Sequence, residues 1–228
     1  MKTILLLHGA LGSKEDLQPL LNSLQSSFTV YSINLYGHNG MPVDQDFSVE
    51  GFGQQVLDWM AENNLDKISI AGYSLGGYIA LYFAYTYPDK IEKIVTLGTK
   101  LYWDRSIAEK EVGRLDPEVI EERFPAYAAQ LISKHTAENW KKVLANTAKL
   151  FLHIGQFNPL SFDKFNHITC PVLLMRGDKD TSVTLVETTT IYRELPNGQL
   201  AVLPNTKHSI NEVDIVLISY LITSFLNL

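Results

Sequence analysis

The chain of 228 residues holds one cysteine, Cys170, so no disulfide can form within it. A core must carry the fold, and a chain of this length can bury enough surface to do so. Cys170 stands before Pro171 and an apolar run, with no cysteine motif around it. It reads as a small hydrophobe at the start of a strand. Long hydrophobic runs are missing too: no stretch approaches the roughly 20 apolar residues of a membrane span. Positive charge is scarce. Lysine and arginine total 19 against 25 acidic residues, a formal net charge of −6. A basic face for nucleic acid is therefore not expected. Repeats, low-complexity tracts and Gly/Ser linkers are absent, which argues against a tethered second domain.

The N-terminal Met1-Lys2-Thr3 leads directly into Ile4–Leu7. That apolar run is too short for a signal peptide and no cleavage pattern follows it. It reads as the first strand of the fold, and the chain is expected to be cytoplasmic. The expected partner is a small-molecule substrate. No metal or organic cofactor is indicated, and no pattern specifies an oligomeric state.

Short apolar runs alternate with amphipathic stretches. Residues 4–7, 28–33, 68–71, 94–97, 172–175 and 200–203 are rich in branched residues and read as strands buried on both faces. Between them lie helical patterns. Leu17, Leu20, Leu21 and Leu24 form one stripe, preceded by a Ser13/Asp16 pair that resembles a capping box. A second helix is expected after Ser48, with Phe52, Val56, Trp59 and Met60 facing inward. A third opens at Ser74 and stops at Pro88, and two more span about 182–195 and 211–226. The alternation predicts an α/β fold with a doubly wound, mostly parallel sheet. Residues 99–166 break the rhythm. They contain helical patches and many aromatics but no strand pattern. The expected organisation is a core of residues 1–98 and 167–228 with a helical cap at 99–166.

The strongest local signal is Gly72-Tyr73-Ser74-Leu75-Gly76, between a strand pattern and a helix pattern. A serine on such a turn is held in a strained conformation with its hydroxyl exposed. A serine hydroxyl needs a base within reach. Of six histidines, His208 lies after the last strand pattern, in a loop at the strand carboxyl ends, the side on which Ser74 lies. His8 and His38 read as loop-ordering residues, and His135, His153 and His167 as packing or surface residues. The base needs a carboxylate partner. Arg176-Gly177-Asp178-Lys179-Asp180 follows a late strand. Asp180, set further into the loop, is the expected acid, with Asp178 as the alternative. Oxyanion donors are expected from the backbone N–H groups of Leu75 and Ala10.

Taken together, His8-Gly9 after the first strand, the Gly72–Gly76 elbow, Gly177-x-x-Asp180 and His208 resemble the α/β-hydrolase superfamily over nearly the whole chain. The resemblance implies a catalytic triad of Ser74, Asp180 and His208 and makes the 99–166 stretch look like a lid. One departure stands out. Many relatives carry Asp-x-x-Gly-His-Gly-x-Ser where this chain reads Asn34-Leu35-Tyr36-Gly37-His38-Asn39-Gly40-Met41. The expected reaction is hydrolysis of a small or medium carboxylic ester or thioester in a largely apolar pocket. Alternatives are a C–C hydrolase or a lyase like those of menaquinone biosynthesis, or a non-enzymatic small-molecule receptor. A lyase with a polyanionic substrate would place Arg105, Arg114 or Arg123 beside Ser74.

Overall fold

The computed structural model describes all residues, 1–228. Six strands, β1 (Thr3–Leu7), β2 (Thr29–Ile33), β3 (Ile68–Tyr73), β4 (Ile91–Leu97), β5 (Val172–Gly177) and β6 (Gly198–Leu203), form one sheet in the order β2-β1-β3-β4-β5-β6. Every pairing is parallel. Successive side chains of a strand point to opposite faces, and the core divides accordingly. Leu5, Leu7, Ile68, Ile70, Ile94, Val172 and Leu174 join one apolar cluster. Ile4, Leu6, Ala71, Val95, Leu97, Leu173 and Met175 join the other.

Helices cover both faces. On one side α1 (Gln18–Leu24) packs with the C-terminal helix of the chain. On the other lie α2 (Val49–Glu62) and α3 (Leu75–Thr86). The Ser48 hydroxyl accepts the Gly51 N–H at 2.9 Å and caps α2. In α3 nearly every side chain from Leu75 to Ala84 is buried, because sheet, α2 and further helices enclose it. Between β4 and β5 come α4 (Arg105–Val112), α5 (Pro117–Arg123), α6 (Pro125–His135) and α7 (Trp140–Phe157), with no strand among them. Asp104 and Asp116 cap α4 and α5 through their carboxylates. Helix α8 (Leu185–Glu194) opens with a Thr184/Glu187 capping box, and α9 (Ile215–Asn227) with Asp214 as its cap. No helix is long and apolar enough to cross a membrane.

Two strand expectations need correction. β2 and β6 are the sheet edges and are not buried on both faces. Most of β2 is only half-buried, and Val202 in β6 is 44% exposed. A branched apolar run has the same composition whether or not a neighbouring strand flanks it on each side. Trp59 also differs: it lies at the margin of the core, edge-on to Tyr31 of the edge strand.

Candidate active site

The elbow is built by close backbone packing. A Cβ on Gly72 would lie 2.3 Å from the Gly76 carbonyl oxygen, and one on Gly76 would lie 2.2 Å from that of Leu7. Only glycines let β3, α3 and β1 approach this closely. Between them Ser74 adopts φ 51° and ψ −118°, a region costly for a side-chain-bearing residue. Neighbouring strands hold it there. The Ser74 N–H donates to Leu97 O at 2.9 Å, and the Thr99 hydroxyl donates to Ser74 O at 3.1 Å.

The loops after β5 and β6 bring an acid to an imidazole. His208 Nδ1 lies 2.8 Å from Asp180 Oδ2. The other oxygen, Oδ1, accepts the N–H groups of Ser182 and Val183 at 2.8 and 2.9 Å. Burial by itself would raise the Asp180 pKa. The hydrogen bonds from His208 and Val183 outweigh it and hold the carboxyl below its ordinary range. Buried Arg176 locks the loop, donating to Asp180 O at 2.8 Å and Val183 O at 3.0 Å. Asp178, the alternative acid, is exposed and turned elsewhere, accepting the Thr206 N–H at 3.0 Å.

Three features beyond the sequence reading shape this pair. Gly98 adopts φ +59°, and a Cβ there would lie 3.3 Å from both Asp180 Oδ2 and His208 Nδ1. Its position just past β4, at the carboxyl end of a strand, was the available signal. The Tyr73 hydroxyl donates to His208 O at 3.0 Å, so the residue before the serine anchors the histidine backbone. Burial pushes that phenol up to about 12, which keeps it a donor. Thr99 is the third, through its bond to Ser74 O.

Ser74, His208, Ala10 and Leu75 all line one cavity of about 570 Å³. Asp180 stands behind His208, outside the lining. Leu75 opens α3, so its N–H has no intrahelical acceptor. Ala10 lies in a turn closed by the Gly12 N–H to Gly9 O bond at 3.1 Å, and its own N–H makes no bond within the protein. The cavity is not largely apolar, as the aromatic-rich cap sequence had suggested. Ten of its 21 lining residues are hydrophobic; the others include Asp16, Lys100, Glu111 and Lys134. Of the aromatics in residues 99–166, Trp103, Tyr127 and Phe151 line the cavity, while Phe124 and Phe157 are turned out to solvent and Trp140 is packed among the helices. None of Arg105, Arg114 and Arg123 lines the cavity. Arg105 and Arg114 instead pair with Glu109 and Glu111.

The other histidines lie apart from this pair. His8 is fully buried, its Nδ1 2.8 Å from Gly9 O while its Nε2 accepts the Leu35 N–H at 3.1 Å. His38 and His135 are buried beside it, with ring centroids 4.9 Å (His8–His38) and 5.6 Å (His38–His135) apart. His153 and His167 are exposed. Burial raises the Cys170 thiol to about 11, in keeping with a packing role. No three His, Cys, Asp or Glu side chains come together as metal ligands.

Residues 2–139 match the family described as alpha/beta hydrolase fold. Over 220 residues the chain is 29% identical to the serine hydrolase BPHL of Homo sapiens, covering 91% of this chain and 73% of that protein. It is 23% identical over 224 residues to an (E)-2-((N-methylformamido)methylene)succinate hydrolase of Acinetobacter baylyi, covering 91% and 84%. Among solved structures, a thermophilic esterase from Thermogutta terrifontis superposes with a TM-score of 0.82 at 20% identity, covering 100% of this chain and 90% of that one. With more than half of its length matched by the family, this chain belongs to the α/β-hydrolase fold family.

Proposed function

We propose that the chain is a serine hydrolase that cleaves a small or medium carboxylic ester or thioester by two-step acyl transfer. Ser74 Oγ attacks the carbonyl carbon while His208 Nε2 takes its proton. Asp180 fixes the tautomer by accepting from Nδ1, leaving the Nε2 lone pair free, and stabilises the imidazolium. The Ala10 and Leu75 N–H groups hold the oxyanion. Collapse expels the alcohol or thiol, which leaves with the proton from His208. Water, activated by the same imidazole, then attacks the acyl carbon and releases the acid and the serine hydroxyl. Residues 99–166 serve as a lid over this chemistry.

One observation carries the reading: a 2.8 Å His208–Asp180 pair and a strained Ser74 line or back the same cavity. The lyase reading lacks the arginine it would call for in that cavity. The test uses a fluorophosphonate probe and an ester panel. Folded protein should be labelled at Ser74, and Ser74→Ala should lose labelling and at least about 10³-fold of ester turnover. An unlabelled folded protein with no turnover would point instead to a receptor built on this fold.

A further inference from the structure

Two ion pairs border the cavity, and they differ in how completely they are closed. Lys134 donates to both oxygens of Asp16, at 2.8 and 2.6 Å, so that charge is matched in place. Lys100 has no such partner. Its ammonium donates to one neutral acceptor, Ser182 O, at 2.6 Å. Glu111 lies 3.6 Å away, beyond hydrogen-bond reach, and its other oxygen is taken by Arg114 at 3.0 Å. An ammonium has three donors. Lys100 therefore pairs with Glu111 only loosely and keeps donor capacity that no protein acceptor takes, on the wall of the cavity.

Its place in the fold gives the unused donors a use. Lys100 follows Gly98 and Thr99, which touch the His208–Asp180 pair and the Ser74 carbonyl. It is fixed there at three points: Trp103 Nε1 donates to Lys100 O at 3.1 Å, the next amide, Leu101 N–H, donates to Glu187 at 3.2 Å, and the ammonium itself reaches Ser182. A charge held rigidly on the wall of the cavity that contains the nucleophile discriminates among substrates. We infer that Lys100 is a specificity residue that binds a carboxylate carried by the substrate. This role belongs to the acyl-transfer site proposed above and rests on that reading for the reaction, though not for binding of the anion.

Matched esters test it. Monomethyl glutarate carries a carboxylate, and methyl glutaramate is its uncharged amide counterpart. The wild-type kcat/KM should favour the acid by about tenfold or more, mostly through KM, the scale of one charge-assisted hydrogen bond. In Lys100→Met that ratio should fall towards one, and in Lys100→Arg a preference should persist. A wild-type ratio near one overturns the inference. So does a Lys100→Met protein in which both rates fall while the ratio stays, which would mark a purely structural lysine. Should Lys100→Met fail to fold, the wild-type ratio decides by itself. Calorimetry with glutarate separates the two readings. Glutarate binding that is lost in Lys100→Met, without turnover of any ester, supports the lysine role and rejects the hydrolase. Turnover with no charge preference does the reverse.

Discussion

His135 Nε2 lies 3.0 Å from the carbonyl oxygen of Leu11, 124 residues away in sequence, and its Nδ1 accepts the Asn39 N–H at 3.0 Å. One buried imidazole thus ties α6 to the turn after β1 and to the loop after β2. It can do so only while neutral, because a proton on Nδ1 would face an N–H. His8 is constrained in the same way by the Leu35 N–H. Burial lowers the pKa of both and pushes His8 down from 6.5 to about 4. As pH falls, the unfolded chain therefore takes up these protons first. The stability they secure is complete above about pH 6.5 and drains away as pH falls towards 4. His8 accounts for on the order of 3 kcal/mol of it. Urea melts at pH 7.5 and 4.5 should differ accordingly, and a His8→Asn protein, weaker at pH 7.5, should lose less between the two. A flat profile for the wild type would contradict this account.

The two acids of the loop after β5 are expected to differ sharply. Asp180→Asn removes the acceptor that fixes the His208 tautomer, and kcat should fall by about 10³–10⁴. Asp178→Asn alters only contacts to nearby backbone, chiefly the amides of Asn205 and Thr206, and kcat should stay within about tenfold. Steady-state rates on any accepted ester decide. Equal losses would mean that the acid has been misassigned.

Gly98→Ala should damage both stability and turnover. A methyl group would meet the His208–Asp180 pair at 3.3 Å, at a φ of +59° that side chains disfavour. The conformational cost is about 1–2 kcal/mol. The informative reading is kcat measured well below the melting transition: a drop of tenfold or more places the methyl's effect on the pair rather than on the fold.

Helices α4 and α7 cross where Gly155 has no side chain. A Cβ there would sit 2.5 Å from that of Ala108 and 2.8 Å from Asp104 O. Gly155→Val should cost about 1–3 kcal/mol by overpacking. Thermal melts check it, and an unchanged midpoint would show that the crossing can open without penalty.

The sequence reading went furthest where one residue type has one physical use. The runs 4–7, 68–71, 94–97 and 172–175 are continuous because both of their faces are buried, and they are the central strands. Whether a strand sits at an edge depends on who its neighbours are, so residues 28–33 and 200–203 looked alike to those four. His208 could be chosen among six histidines by its place after the last strand. Asp180 and Asp178 could only be ranked, because two residues of loop do not reveal which carboxylate turns inward. Tyr73 and Gly98 act through contacts with a segment more than a hundred residues away, and nothing local announces such contacts. The polar character of the cavity was hidden for a similar reason. Asp16 read as a helix cap, and it does accept the Ser13 N–H, yet it also reaches Lys134 across 118 residues.

The pairing of β4 with β5 has a consequence for how the protein is made. Residues 98–171 separate these two neighbours, and the acid and the imidazole both come after that gap. A ribosome therefore delivers the hydroxyl of Ser74, together with the strands that bend it, long before it delivers position 208. A nascent chain halted anywhere short of that point holds an alcohol with no proton acceptor behind it. Under the proposed assignment, reactivity arrives only once position 208 has been made, so shorter copies remain chemically silent.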